Sequence, residues 1–487
     1  MKFRFFLFLL LIKSAKSQGS VQRWERLETP PADSILGLKA AFLADPASNK
    51  IELTIGAYRE SDGKPYVLPS VQKARQWLGS RPSEWLHEYL PIEGLSEFLH
   101  GSENLLFGNL TAMVHKVSCQ ALSGTGAVRL VFEFLVRHYQ ASKTIYIPAI
   151  TWANHWNIAR DAGLSAIPYR YLVPGSTNLD VQGLLDDLRT APQNSIVLLH
   201  LCAHNPTGVD PDRQTWIKIA EIIAQNHLFP IFDSAYLGFA SGDVDNDAYP
   251  FRLFVEKGLM PWACVSFSKN FGLYSERVGA VHATLGSMDE SPKVLGHLKK
   301  IARAMYSNPP AFGARLVAHI LNDPTLKTSW QHSLGHMAER ISMMRAELRK
   351  RLEKQLKAHP KYSDWSHVTS QIGMFSFTGL EPHHVQALRH KHHIYILDNG
   401  RISMAGLNHN NLQQFADAVV DVLTDAQIHN QAMPDQTNEQ NIPQNASSED
   451  ASLGLSSEND PLIIKEDEIE QSKEEVQEQQ QHSMPDL

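Results

Sequence analysis

Four short apolar runs in the middle of the chain set its architecture: Lys143–Ile147, Ser195–His200, Leu228–Phe232 and Ala263–Phe267, each five or six residues long. Runs of that length, rich in Ile, Val and Phe and closed by polar residues, read as buried strands. The stretches between them are amphipathic, as in Gln214–Gln225, and predict helices. Strand and helix in alternation give a mainly parallel sheet covered by helices, an α/β fold. Further on, Trp330–His359 predicts a long charged helix with Met343, Met344, Leu348 and Leu352 on one face. Mixed α and β patterns then continue to about Thr424 and suit a second, smaller domain. No internal repeat is evident.

The two ends have a different composition from the body. Residues 1–20 carry Lys2, Arg4, Lys13 and Lys16 around an apolar block, Phe5–Ile12, too short to span a bilayer. With Ala15-Lys16-Ser17 as a weak cleavage site, this is either a leader resembling a signal peptide or an unprocessed extension. From about Gln431 the chain turns to Gln, Asn, Ser and Glu, with 14 acidic residues against two lysines up to Leu487. Such a segment buries too little apolar surface to offset its ordering entropy, so residues 429–487 are expected to be a disordered acidic tail. The organisation expected is a leader (1–20), an N-terminal segment contributing to the small domain (21–65), a large domain (66–335), a small C-terminal domain (336–428) and the tail.

Net charge is -7 overall, and the tail accounts for more than all of it. The remaining body is close to neutral and has no electrostatic footprint for nucleic acid. Cys119, Cys202 and Cys264 lie in apolar contexts at no metal-ligand spacing, which suits a reducing, cytoplasmic compartment and no metal site. A mitochondrial or exported location follows instead if residues 1–20 act as a targeting segment. The sequons at Asn109 and Asn445 are short enough to arise by chance.

In an open α/β sheet, ligands bind beyond the carboxyl ends of the strands. Each predicted strand ends in unusual chemistry. The first leads to Thr151-Trp152-Ala153-Asn154-His155 and the second to Cys202-Ala203-His204-Asn205-Pro206-Thr207-Gly208. The third runs into Asp233-Ser234-Ala235-Tyr236, and the fourth into Ser266-Phe267-Ser268-Lys269, with Arg277 just beyond. A lysine so placed, near another cation and partly desolvated, is a candidate covalent nucleophile. Upstream, Ser123-Gly124-Thr125-Gly126 opens a helical pattern and offers backbone N–H groups to an anion. Arg129 stands where a dinucleotide fingerprint needs its third glycine, so a single phosphate fits better than a pyrophosphate.

Together these groups describe what pyridoxal 5'-phosphate requires. Ser123, Gly124, Thr125, Ser266 and Ser268 are candidates for its phosphate, with Arg277 as counter-charge. Trp152 is a candidate to stack on the ring, and Asp233 to keep the pyridine nitrogen protonated. Tyr236 and Asn205 are candidates for its 3-oxygen.

At this point the chain resembles the class I aminotransferases, and within them the aspartate aminotransferases, from about Pro31 to Thr424. The resemblance rests on Ile55-Gly56-Ala57-Tyr58-Arg59, Gly63-Lys64-Pro65, Glu88-Tyr89-Leu90-Pro91, Ser123-Gly124-Thr125-Gly126, His204-Asn205-Pro206-Thr207-Gly208, Asp233-Ser234-Ala235-Tyr236, Ser266-Phe267-Ser268-Lys269 and Gly400-Arg401-Ile402. It implies the fold of pyridoxal-phosphate-dependent transferases (fold type I), with a seven-stranded sheet, and a homodimer whose active sites are shared. Lys269 would join the cofactor covalently and then move the substrate's Cα proton. Arg401 would grip the substrate α-carboxylate, helped by Asn205, Trp152 and the backbone at Gly56. Arg303, five residues before Asn308, would meet a distal carboxylate, and Tyr89 the phosphate, both from the neighbouring subunit. His155, and with it His200, would orient Asp233 from behind.

The activity implied is reversible, ping-pong transfer of the amino group from L-aspartate to 2-oxoglutarate, giving oxaloacetate and L-glutamate. An aromatic-amino-acid aminotransferase is the near rival. A non-catalytic scaffold acting through the acidic tail is the reading from a different class, and an intact set of Lys269, Asp233, Arg303 and Arg401 speaks against it. The leader and tail depart from the compact members of the family.

Overall fold

The computed structural model describes Trp24, residues 27–29 and residues 34–425. The predicted leader and acidic tail, with the Asn445 sequon, lie outside the described residues.

Seven strands form the central sheet: β2 (Lys116–Leu122), β3 (Thr144–Pro148), β4 (Ser165–Tyr169), β5 (Ile196–His200), β6 (Phe229–Ser234), β7 (Trp262–Ser266) and β8 (Val278–Thr284). Their order is β2-β8-β7-β6-β5-β3-β4. Every pair from β4 to β7 is parallel, and β8 runs antiparallel to both β7 and β2. Helices of 9 to 13 residues, Asn154–Ala162, Val181–Thr190 and Arg213–Gln225, link successive parallel strands. Two small sheets complete the fold: β1 (Ile51–Glu52) with β10 (Ile394–Tyr395), and β9 (Phe375–Phe377) with β11 (Arg401–Ser403).

Both faces of the large sheet are covered, and the strand periodicity shows it. Along β5, Ile196 and Leu198 pack into one hydrophobic cluster while Val197 and Leu199 pack into the other. Successive side chains point to opposite faces, so a strand buried on both sides is continuously apolar rather than alternating. The four predicted strands were legible for this reason, and each lies within a residue or two of its expected limits. Strands β2, β4 and β8 carry Lys, Ser, Gln, Pro and His among their apolar residues and give no such run.

The long helix spans Pro324–Gln355, six residues earlier at its start than the periodicity predicts. Asp323 caps it, its carboxylate accepting from the N–H groups of Thr325 and Leu326 at 2.8 and 2.9 Å. Pro324 takes the first helical position, where a missing N–H costs nothing. The buried face carries Met337, Ile341, Met344, Leu348 and Leu352. Met343, expected on that face, is 49% exposed. It sits one residue, about 100°, away from Met344 around the helix axis. The expected boundary between residues 335 and 336 falls inside this helix. Among the described residues no helix is long and apolar enough to cross a membrane.

Candidate active site

The strand order reverses between β3 and β5, because the chain adds β4 outside β3 and then returns to the other side. A crevice opens at the carboxyl ends of strands flanking such a point. Here it is a cavity of about 180 Å³ lined by Ser123, Gly124, Thr125, Trp152, Asn205 and Asp233, and further by Ala235, Tyr236, Ser266, Ser268, Lys269 and Arg277. Eleven of these twelve residues are candidates from the sequence. Ala235 was not singled out, since a methyl group carries no chemistry to recognise.

Three hydroxyls meet at one end. Ser123 Oγ lies 3.0 Å from Ser266 Oγ and 2.7 Å from Ser268 Oγ. Ser123 adopts a left-handed φ of 61° at the start of the helix Ser123–His138, and its N–H donates to the Arg277 carbonyl at 3.1 Å. Gly279 makes that approach possible, because a Cβ there would stand 2.6 Å from the Ser123 carbonyl carbon. Ser123, Gly124 and Thr125 at the start of a 16-residue helix thus line one small cavity with Ser266, Ser268 and Arg277. Hydroxyls, a helix start and a guanidinium are groups suited to an anion.

Asp233 lines the same cavity and is buried on β6. His155 Nε2 donates to its Oδ2 at 2.9 Å. Thr151 Oγ1 bridges the two rings, 2.9 Å from His155 Nδ1 and 2.8 Å from His200 Nε2. Burial holds His200 neutral, with a pKa near 3. Burial alone would raise Asp233, but the hydrogen bond from His155, with the Lys269 cation nearby, brings it below the usual carboxylate range. The cavity therefore presents a buried, ionised carboxylate, ready for a cationic partner.

Lys269 lines the same cavity, its Nζ 5.1 Å from the centre of the Tyr236 ring. Burial pulls its amine down to about 8, and Arg277 and Arg401 pull the same way against Asp233. An aldehyde is attacked by the neutral amine. Loading of an aldehyde cofactor onto apoprotein should therefore accelerate as pH rises and level off just above pH 8. Stopped-flow loading rates across a pH series check this, and a rise continuing toward the ordinary lysine value of about 10 would contradict it.

Arg401 does not line this cavity but adjoins it. It is buried, donates to Asn205 Oδ1 at 3.3 Å and to the Thr54 carbonyl, and has its Cζ 4.1 Å from the Phe375 ring centre. Burial lowers it to about 10, so it remains a cation at neutral pH. Asn205 also donates to the Tyr236 hydroxyl at 3.4 Å. Gly56 packs against the same Phe375, where a Cβ would stand 2.6 Å from its ring.

The model of the family described as "Aminotransferase class I and II" matches residues 48–419. The chain belongs to the class I and II aminotransferases. It is 46% identical to the cytoplasmic aspartate aminotransferase of Oryza sativa subsp. japonica over 81% of this chain and 96% of that one. Against the mitochondrial aspartate aminotransferase of Xenopus tropicalis it is 44% identical, over 81% and 92%. An aromatic-amino-acid aminotransferase from Burkholderia pseudomallei, solved covalently bound to pyridoxal phosphate, superposes with a TM-score of 0.77 at 37% identity, covering 83% of this chain and all of that one.

Aminotransferases of this family use pyridoxal phosphate, and the cavity fits it: hydroxyls and a guanidinium suited to a phosphate, an ionised carboxylate and a lysine of lowered pKa line one volume. Two expected residues are not at the cavity of this aminotransferase chain. Tyr89 is 85% exposed and borders a separate cavity of about 400 Å³ with Trp77, Trp85, Arg315 and His319. Arg303 is also exposed and donates to Ser307 Oγ and to Asn308 Oδ1. Asn308 in turn donates to the Leu90 carbonyl at 2.7 Å. Tyr89 and Arg303 are thus tied into one surface feature.

Sequence reasoning passed over several supporting groups. Thr151 bridges two histidines although its position offers only a hydroxyl. Asp210 accepts from the N–H groups of Ala203 and His204 at 2.6 and 2.8 Å and shapes the turn that presents Asn205, whose bond to Pro206 is cis. Phe375 lies far along the chain in what reads as an ordinary apolar segment.

Proposed function

We propose that this aminotransferase moves the amino group of L-aspartate to 2-oxoglutarate, giving oxaloacetate and L-glutamate in two ping-pong half-reactions. When bound, pyridoxal phosphate supplies an aldehyde to take the amino group and a cationic ring that accepts electrons. The chain's own groups do the rest. Lys269 would hold the cofactor and, with its amine free, carry the proton to and from the substrate Cα as general base and acid. Ser123, Gly124, Thr125, Ser266, Ser268 and Arg277 hold the phosphate. Asp233, oriented by His155, Thr151 and His200, keeps the ring nitrogen protonated. Tyr236 and Asn205 hold the 3-oxygen, Trp152 flanks the ring, and Arg401 takes the α-carboxylate beside Asn205 and Gly56.

The observation carrying this reading is that Lys269 and Asp233 share one cavity with the hydroxyl cluster while Arg401 adjoins it. A distal carboxylate needs a second cation, and Arg303 supplies it from a partner subunit together with Tyr89. Support comes from their exposure, from their shared tether through Asn308, and from the aspartate aminotransferases among the relatives. The compartment we propose is the cytoplasm, on the three buried, unpaired cysteines among the described residues.

A preference for aromatic amino acids is the second reading, favoured by the Burkholderia pseudomallei relative. The ratio of kcat/KM for aspartate and phenylalanine separates the two, and a preference for phenylalanine would reject aspartate as the substrate. Arg303→Asp should lower kcat/KM for aspartate by about a thousandfold, since like charges facing each other cost several kcal/mol. Phenylalanine should be nearly unaffected. Mixing Arg303→Asp chains with Lys269→Ala chains should restore activity, because one hybrid site is then intact. Unchanged aspartate kinetics would remove Arg303 from the site, and failure to complement would remove its sharing between subunits.

A further inference from the structure

A buried arginine outside the catalytic cavity joins the long helix to the substrate-carboxylate site. Arg345 sits on the core face of Pro324–Gln355 and is 3% exposed. It meets no carboxylate within ion-pair distance among the described residues. Its guanidinium instead donates to three carbonyls of one segment: Val368 (2.8 Å), Gly373 (3.0 Å) and Phe375. A cation taken from water and spent wholly on backbone carbonyls is costly unless the geometry it fixes is needed.

The segment it fixes touches the carboxylate grip from three sides. Ile372 donates to the Gly208 carbonyl at 2.7 Å, at the end of the turn that carries Asn205. Gly208 has no room for a Cβ, which would stand 2.8 Å from the Phe375 carbonyl oxygen and 2.9 Å from that of Ile372. Strand β9 pairs with β11 so that Phe377 lies opposite Arg401 and Phe375 opposite Ser403. The Phe375 ring lies against the Arg401 guanidinium at 4.1 Å and edge-on to Tyr236 at 6.0 Å. The carbonyl that Arg345 binds and the ring that braces Arg401 therefore belong to one residue.

We propose that Arg345 is a positioning residue for the substrate α-carboxylate: by holding the Phe375 carbonyl it sets the ring that locks Arg401 in place beside Asn205. This rests on the reading of Arg401 as the α-carboxylate ligand. Arg345 touches neither cofactor nor substrate, so its removal loosens one binding group and leaves the proton-transfer machinery alone. A misplacement of that kind raises KM more than it lowers kcat.

The test uses holoenzyme variants Arg345→Lys and Arg345→Gln, with Phe375→Leu as the partner change. Each should raise KM for both the amino acid and the oxo acid by about tenfold. For the Arg345 variants kcat should stay within about threefold of the parent, and pyridoxal phosphate affinity unchanged. The discriminating probe is a simple alkylamine without a carboxylate. Its rate of reaction with the bound cofactor should be the same in parent and variants, because the group that Arg345 positions has nothing to hold. Arg345→Gln combined with Phe375→Leu should cost no more than the worse single change, as expected for two members of one link.

Equal losses with amino acid and alkylamine, or additive effects, would mean a general structural role and would overturn the proposal. If Arg345→Gln does not fold, Arg345→Lys and Phe375→Leu carry the test, and an unchanged KM in both overturns it. An Arg401→Leu variant with unchanged KM would instead show that the carboxylate reading itself is wrong.

Discussion

The Lys269→Ala enzyme should fold, bind the cofactor weakly and turn over almost no amino acid. Turnover should fall on the order of 10⁴-fold or more, as for removal of a covalent nucleophile that is also the proton carrier. The fold should be unaffected: the Lys269 amine makes no hydrogen bond to the described residues and lies 5.1 Å from the centre of the Tyr236 ring. Removing a cation that burial already disfavours costs little stability. Thermal unfolding within a few degrees of the parent, a lost cofactor absorbance after dialysis and absent activity together check the expectation. Normal turnover would refute the role of Lys269, whereas an unfolded variant would leave the cavity described above misjudged as a tolerant one.

The second large effect concerns Arg401. Arg401→Leu should lower kcat/KM for every α-amino acid by about 10²–10³-fold, the usual cost of removing one partner of a desolvated charge pair. Here the pair forms only when substrate arrives. In the free chain the guanidinium donates to Asn205 and the Thr54 carbonyl with Phe375 against it, while its buried Nε has no partner among the described residues. The loss should appear with monocarboxylic and dicarboxylic substrates alike, unlike the selective loss expected from Arg303→Asp. Cofactor absorbance should be unchanged, since the hydroxyl cluster and Asp233 are untouched. A loss confined to dicarboxylates would exchange the roles of the two arginines.

How far the sequence revealed this molecule depended on whether a feature was local. The strands β3, β5, β6 and β7 are buried on both faces, so their continuous apolar runs announce them, and the polar residues that end each run fall at the crevice. Eleven of the twelve cavity-lining residues were therefore visible as motifs at strand ends. The edge and antiparallel strands were not, because Lys116, Gln120, Ser165 and His282 interrupt their patterns. Long-range support was equally hidden. Nothing in the chain says that the Phe375 ring lies against Arg401, that Thr151 joins His155 to His200, or that Arg345 spends its guanidinium on three carbonyls. Those facts arise from packing between segments distant in sequence. Tyr89 and Arg303 are a different case: their motifs are legible, but the function proposed for them requires a second subunit.

The central claim is that the Lys269 amine is the point of covalent attachment for pyridoxal phosphate in a cavity that Asp233 also lines. Borohydride reduction of the holoenzyme, followed by digestion and mass mapping, tests it most directly. The expected result is a single pyridoxyl mass increment on the peptide containing Ser268-Lys269-Asn270. A label on any other lysine, or none at all with cofactor present in excess, would contradict the account.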